Sequence, residues 1–442
     1  MAYASSGKLP FETASKLGHL KVIDSDWIRS LIDDFESNDA ADDSNYNEKI
    51  WNTIDENASE PLKHIWVVDG SYVPVAEGNK ELAFVKTALM TVEQSKIAKI
   101  DKEYPHPLLL QSIMKNSALF HATVFPLKNI KSSKGNIYDT VRHIVYDSMK
   151  IEEEGVYFET LKWLVFEKWS NKKVNSPEFF CPHCGKEVIE GIGYDKDTDT
   201  CPICHKEVLL TDMIGFHLDM NEDNAPVAIA SSYMMIMELL MLFTVIRLHW
   251  EHKDESLVTE TLYLKDGPMT LGSQYSKLVP RIRDFLEHAK RSKRPVHIMG
   301  CEKSGMFFDY LQNVARFVPV EEGKIKYAVL DHEFIRREIQ RSPEHVNPYG
   351  LRTNWGEKVF VVIDRDTRMV INMPTGYYNT DPYFPTRDDI MGLERMIVTL
   401  PSLVSKKYEG ALYPIELVNG IASMSSYPSA KILQDYVRDM LG

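Results

Sequence analysis

Residues 65–71, Ile65-Trp66-Val67-Val68-Asp69-Gly70-Ser71, carry the reading that decides the fold. Four apolar residues in a row predict a buried strand, and the run ends on a lone carboxylate followed by glycine. A carboxylate at a strand end stands where side chains leave the core and meet solvent. Glycine beside it lets a phosphate-sized group approach the backbone. The pattern returns at Thr261-Leu262-Tyr263-Leu264-Lys265-Asp266-Gly267-Pro268. Two such Asp-Gly pairs, far apart in the chain, predict two strands that deliver Asp69 and Asp266 to one place.

A long apolar helix is expected over 225–249, and it carries Glu238 amid Met, Leu and Ile. Burying an acid costs several kcal/mol unless it is paired or binds metal. A surface-facing glutamate is an equally good reading in isolation; its place between the two Asp-Gly strands favours function. Residues 296–303 read as a further strand ending at Lys303, whose ammonium near a phosphate would offset developing charge. An ordinary lysine opening a loop fits the same residues. Asp331 is either a site residue or the N-cap of a helix over 333–340. Residues 358–364 and 369–373 form an expected hairpin, with Asp364 in its turn.

Cys181-Pro-His-Cys184-Gly-Lys and Cys201-Pro-Ile-Cys204-His-Lys are two matching knuckles. Each sets two thiolates on one tight turn, at adjacent corners of a tetrahedron around zinc. A zinc ribbon is therefore expected over 177–210, with Cys181, Cys184, Cys201 and Cys204 as ligands. Four thiolates leave no open position, so its Zn2+ is structural. His183 and His205 are alternative ligands that four cysteines make unnecessary.

The chain has 442 residues, room for two or three domains or one large domain with insertions. The division expected is a helical or irregular extension over 1–60, a first core part over 61–176, the ribbon over 177–210 and a second core part over 211–442. Residues 24–35 have helical spacing, and 36–47 are acidic and Asn/Ser-rich, as in a connector. Strand signals recur at 82–90; helix signals cover 137–151, 157–169 and 275–290. The apolar run at 234–246 is too short to span a bilayer, and the N-terminus lacks a secretory core, so a cytoplasmic protein without membrane contact is expected. Paired Cys-x-x-Cys units fit a reducing compartment. The net charge of -13 argues against a broadly basic coating surface but leaves room for an acidic metal site. Arg281, Arg283, Lys290, Arg291, Lys293 and Arg294 are the candidate phosphate strip, or equally a solvated helix face with a basic C-terminus.

The ordered set of Asp69-Gly-Ser, helical Glu238, Asp266-Gly, Lys303 and an Arg395…Tyr413-Pro414 segment resembles the NurA family of nucleases. The resemblance covers most of the chain except about 171–210. It implies an α/β fold with an RNase H-like mixed central sheet flanked by helices, here with the four-Cys ribbon inserted and helices added. It implies Asp69, Glu238 and Asp266 as ligands of Mn2+ or Mg2+, with Lys303 catalytic and Asp331 a weaker candidate. Family members usually carry Asp or His where this chain has Asn419. An amide is a poorer ligand and cannot act as a base, which makes Glu416 a candidate replacement. The resemblance also implies a homodimer that encloses DNA and works with a HerA-type hexameric ATPase, in end processing or in defence against foreign DNA.

Phosphodiester cleavage needs a water in line, neutralised non-bridging oxygens and help for the leaving oxygen, which two divalent ions about 4 Å apart supply. Oxygen ligands suit Mn2+ or Mg2+. The expected function is thus a metal-dependent deoxyribonuclease. The competing class is a catalytically degenerate scaffold that binds an ATPase or DNA through its ribbon; a phosphatase or nucleotide hydrolase using the same acids is a third.

Overall fold

The computed structural model describes residues 25–34, 47–101, 118–221, 225–341, 349–377, 385–406, 410–425 and 428–441. The connector read over 36–47 lies outside the described residues except for Asn47. Thirteen strands are described. They are β1 (Asn52–Asp55), β2 (His64–Glu77), β3 (Lys80–Glu93), β4 (Ala118–Lys128), β5 (Phe179–Phe180), β6 (Glu187–Val188) and β7 (Thr198–Thr200). There follow β8 (Glu207–Leu209), β9 (Thr261–Asp266), β10 (His297–Glu302), β11 (Lys324–Val329), β12 (Gly356–Val362) and β13 (Arg368–Pro374). The helices that matter are α1 (Asp26–Asp34), α2 (Ile137–Ile151), α3 (Val156–Val165), α4 (Ala228–Glu251) and α5 (Leu278–Arg291). Beyond them lie α6 (Met306–Val314), α7 (Leu393–Leu403), α8 (Tyr413–Ala422) and α9 (Ser429–Leu441).

Nine strands make one mixed sheet in the order β1-β11-β12-β13-β10-β9-β2-β3-β4. β2, β3 and β4 form an antiparallel meander, while β9 and β10 run parallel to β2. This is the expected α/β arrangement of a mixed central sheet flanked by helices. The meander turns at Gly78, whose φ of 58° suits a two-residue hairpin loop. β4 is an edge strand, and Pro126 sits in it without cost because an edge needs no ladder hydrogen bond on one side. β1 closes the opposite edge against β11 from within the segment that the sequence presents as irregular.

Side chains alternate across the sheet and so assign each residue to a layer. Ile65, Val67, Leu262, Leu264, Met299 and Cys301 pack with α7 and α8. Val68, Tyr263 and Ile298 pack with α2, α3, α4 and α5. α4 is apolar around its circumference, as a helix enclosed on most sides must be. By length and composition it could cross a membrane, yet its most apolar window is 83% buried inside the fold.

Candidate active site and zinc site

The two knuckles fold as near copies. Cys181 N–H donates to the Lys186 carbonyl and Cys201 N–H to that of Lys206, at 2.8 and 2.9 Å. Gly185 and His205 follow the second cysteine of each and take the same left-handed backbone, with φ of 66° and 59°. The Sγ atoms of Cys181 and Cys204 are 3.7 Å apart, and those of Cys184 and Cys201 4.0 Å. A zinc ion with bonds of about 2.3 Å needs tetrahedron edges of about 3.8 Å, so the four thiols fit it. His183 Nε2 is instead engaged with the Glu207 carbonyl at 2.9 Å.

The ribbon is built into the core. Phe179, Val188, Ile192 and Val208 join the main hydrophobic cluster on the α4 side. Arg142 of α2 grips Asp212 through two bonds of 2.9 and 2.8 Å, both residues being buried. Lys162 of α3 holds Asp195 and Asp197 at 2.9 and 2.8 Å.

The acid centre is assembled from distant segments. Asp69 does not end its strand, as the sequence suggests; β2 runs on to Glu77 because β3 continues to pair with it. What ends there is the parallel ladder: β9 pairs with β2 up to Val68↔Lys265 and then stops. Asp69 and Asp266 therefore sit side by side where β2 loses a neighbour. By alternation both side chains leave on the α8 face. Asp69 Oδ1 accepts from Gly70 N–H at 2.8 Å, and Oδ2 accepts from Nδ2 of Asn419 on α8 at 2.8 Å. Lys303, just past β10, holds Asp266 Oδ2 at 2.9 Å. Burial and the Asp266 charge push the Asp69 carboxyl above its ordinary range, against the pull of Asn419, Gly70 N–H and Lys303.

Glu238 approaches from the opposite face. It is 3% exposed, and its Oε2 lies 3.0 Å from Nζ of Lys265, which points to the α4 side as Tyr263 does. That ammonium also donates to the Asp266 carbonyl at 2.8 Å. Desolvation raises the Glu238 carboxyl, Lys265 lowers it, and Asp69 and Asp266 raise it further. Gly70 makes the approach feasible: a Cβ there would lie 2.5 Å from Met234 Cγ and 2.9 Å from Glu238 Oε1. Its glycine serves the packing of α4 on β2, rather than the approach of a phosphate that the sequence suggests. Among the described residues only the four thiols bring three or more metal-ligating side chains within 4.8 Å of one another. The three acids stand further apart, each turned to its own partner.

No protein-family model and no curated protein matches the chain. Solved NurA structures match along nearly all of it. The NurA nuclease from Sulfolobus solfataricus is 10% identical, with 96% of this chain and 98% of that chain covered, at a TM-score of 0.34. A NurA with manganese is 12% identical over 96% and 98%, at 0.30. A NurA bound to dAMP and manganese is 11% identical over 100% and 98%, at 0.25. What this site can do follows from its own geometry.

Asp331 stands outside the centre. It caps a helical turn by accepting from Phe334 N–H, and four strand spacings, about 19 Å, separate β11 from β9. Glu416 lies one turn before Asn419 on α8, and its buried Oε1 lacks a hydrogen-bond partner. Of the six residues of the candidate phosphate strip, four arginines have structural partners: Arg283 reaches Glu357, Arg291 reaches Glu287, Arg281 reaches Glu167, and Arg294 stacks on Trp250. Arg395 makes a bidentate pair with Glu260 at 2.9 and 3.0 Å, a clamp rather than a site group. Lys265 is the residue that sequence reasoning missed. Its signal is a lysine at the parity of Tyr263, in a strand buried on both faces.

Proposed function

We propose that the chain is a divalent-metal-dependent nuclease that hydrolyses DNA phosphodiester bonds. One observation carries this: Asp69 and Asp266 leave one face of the sheet side by side where the β2–β9 ladder ends, with Asn419 bonded to Asp69 and Lys303 to Asp266. Two adjacent hard-oxygen donors suit Mn2+ or Mg2+. Such an ion supplies Lewis acidity at the phosphate and a more acidic water. Lys303, a third exposed and fixed on Asp266, is the cation placed to meet non-bridging oxygens. Asn419 orients the Asp69 carboxylate and donates no proton. Water adds to phosphorus, the ester P–O bond breaks, and its oxygen leaves with a proton as a hydroxyl.

The family resemblance supports a cytoplasmic homodimer working with a HerA-type hexameric ATPase on DNA ends or foreign DNA. Co-purification of a co-expressed ATPase tests that part. A second reading, a degenerate scaffold, is favoured by the neutral Asn419 and the lysine-paired acids. Titrating Mn2+ into a DNA cleavage assay separates the two: the nuclease reading predicts cleavage that Asp69→Asn and Asp266→Asn abolish. Cleavage unchanged in both folded variants contradicts it.

A further inference from the structure

We propose that Lys265 stands where a second divalent cation would otherwise be needed, so that this site holds a single divalent ion between Asp69 and Asp266. The inference rests on the metal-nuclease reading above and deepens it. Lys265 is 7% exposed, and its ammonium bridges Glu238 Oε2 at 3.0 Å and the Asp266 carbonyl at 2.8 Å. It therefore joins the helical acid to the strand that carries the second aspartate, the bridging task of a metal ion between carboxylates.

Sheet geometry points the same way. The side chains of Asp69 and Asp266 leave on the α8 face, whereas Glu238 stays on the α4 face beneath Gly70. An ion gripped by the two aspartates has Asn419 on its own side of the sheet, and Glu238 already has a cation on the other.

Charge closes the argument. Asp69, Asp266 and Glu238 supply three negative charges, and Lys265 and Lys303 return two. One divalent ion leaves the cluster singly positive, a suitable partner for a phosphodiester. Two would leave it triply positive beside the buried Asp69, Glu238 and Lys265, where uncompensated charge is expensive. Glu238 is then a positioning residue: it fixes Lys265, which fixes the Asp266 backbone.

The test counts bound ions in the zinc-loaded full chain, by Mn2+ calorimetry and by electron paramagnetic resonance. The wild-type chain should bind one Mn2+ with a six-line mononuclear spectrum. Asp69→Asn should weaken that binding by about tenfold or more. Glu238→Gln, which keeps the hydrogen bond to Lys265, should leave the count at one and the spectrum mononuclear. Lys265→Ala, where it folds, should admit a second ion and give an exchange-coupled spectrum. Two coupled Mn2+ ions in an active wild-type chain overturn this inference and leave the nuclease reading standing. So does loss of Mn2+ in Glu238→Gln to the degree seen in Asp69→Asn. Absence of any Mn2+ binding together with absence of cleavage overturns both.

Discussion

The thiol cluster and the acid cluster of this molecule are built by opposite routes. The ribbon draws four identical donors from two six-residue motifs, and its sulfur atoms already stand at zinc spacing. The acid centre draws its donors from β2, α4 and β9, splits them across two faces of a sheet, and ties each to a lysine or an amide. A closed thiolate tetrahedron maximises affinity and leaves nothing for substrate. Acids held apart by replaceable partners keep positions open. The two clusters thus differ in how completely their donors are committed to one another.

Breaking the ribbon should have the largest effect on the fold. Cys181→Ser, or chelation, should destabilise the protein on the order of 5 kcal/mol, since zinc ligation is worth roughly 10 kcal/mol in isolated fingers. Because Phe179, Val188 and Val208 belong to the main core, the loss should appear in global thermal unfolding and in zinc content, not as local fraying. Gly70→Ala tests the other centre through packing. The added methyl meets Met234 and Glu238, and calorimetry should show a loss of about 1–3 kcal/mol, with Mn2+-dependent cleavage falling as Glu238 shifts.

These contrasts explain what could be read in advance. The cysteine spacing is local, so the ribbon and its four ligands are legible in thirty residues. The apolar runs of β2, β9, β10, β12 and β13 are legible for the same reason. β4 is obscured because a proline, Pro126, stands within it, which only an edge strand tolerates. The acid centre was legible only as a set of residue types. Which face Glu238 takes depends on the pairing Val68↔Lys265 and on α4 crossing Gly70, neither of which a sequence states. Asp331 shows the same limit: a carboxylate after an apolar strand is as good a cap as a ligand, and here the helix takes it.

The Glu260–Arg395 clamp sharpens the comparison further, because it ties the start of β9 to α7 and so helps to set the register that aligns the aspartates. Arg395 and Lys63 hold the Glu260 carboxyl at about 2, below its ordinary 4.5. A lowered folded-state value means stability that is present above the unfolded value and lost as pH falls toward about 2. Glu260→Gln should therefore cost about 1–2 kcal/mol at neutral pH after solvent screening, and nothing near pH 2, as read from urea midpoints. Asp331→Ala should have the smallest effect. Losing the cap costs about 1 kcal/mol and leaves metal-dependent cleavage unchanged; an abolished activity would return Asp331 to the centre.

Cleavage of a DNA substrate by the zinc-loaded chain, with and without Mn2+, in wild type, Asp69→Asn and Asp266→Asn, tests the central claim most directly. The side-by-side aspartates predict Mn2+-dependent hydrolysis in wild type and none in either variant, with all three chains equally folded. Full hydrolysis in both variants, or none in wild type at any Mn2+ concentration, would contradict it.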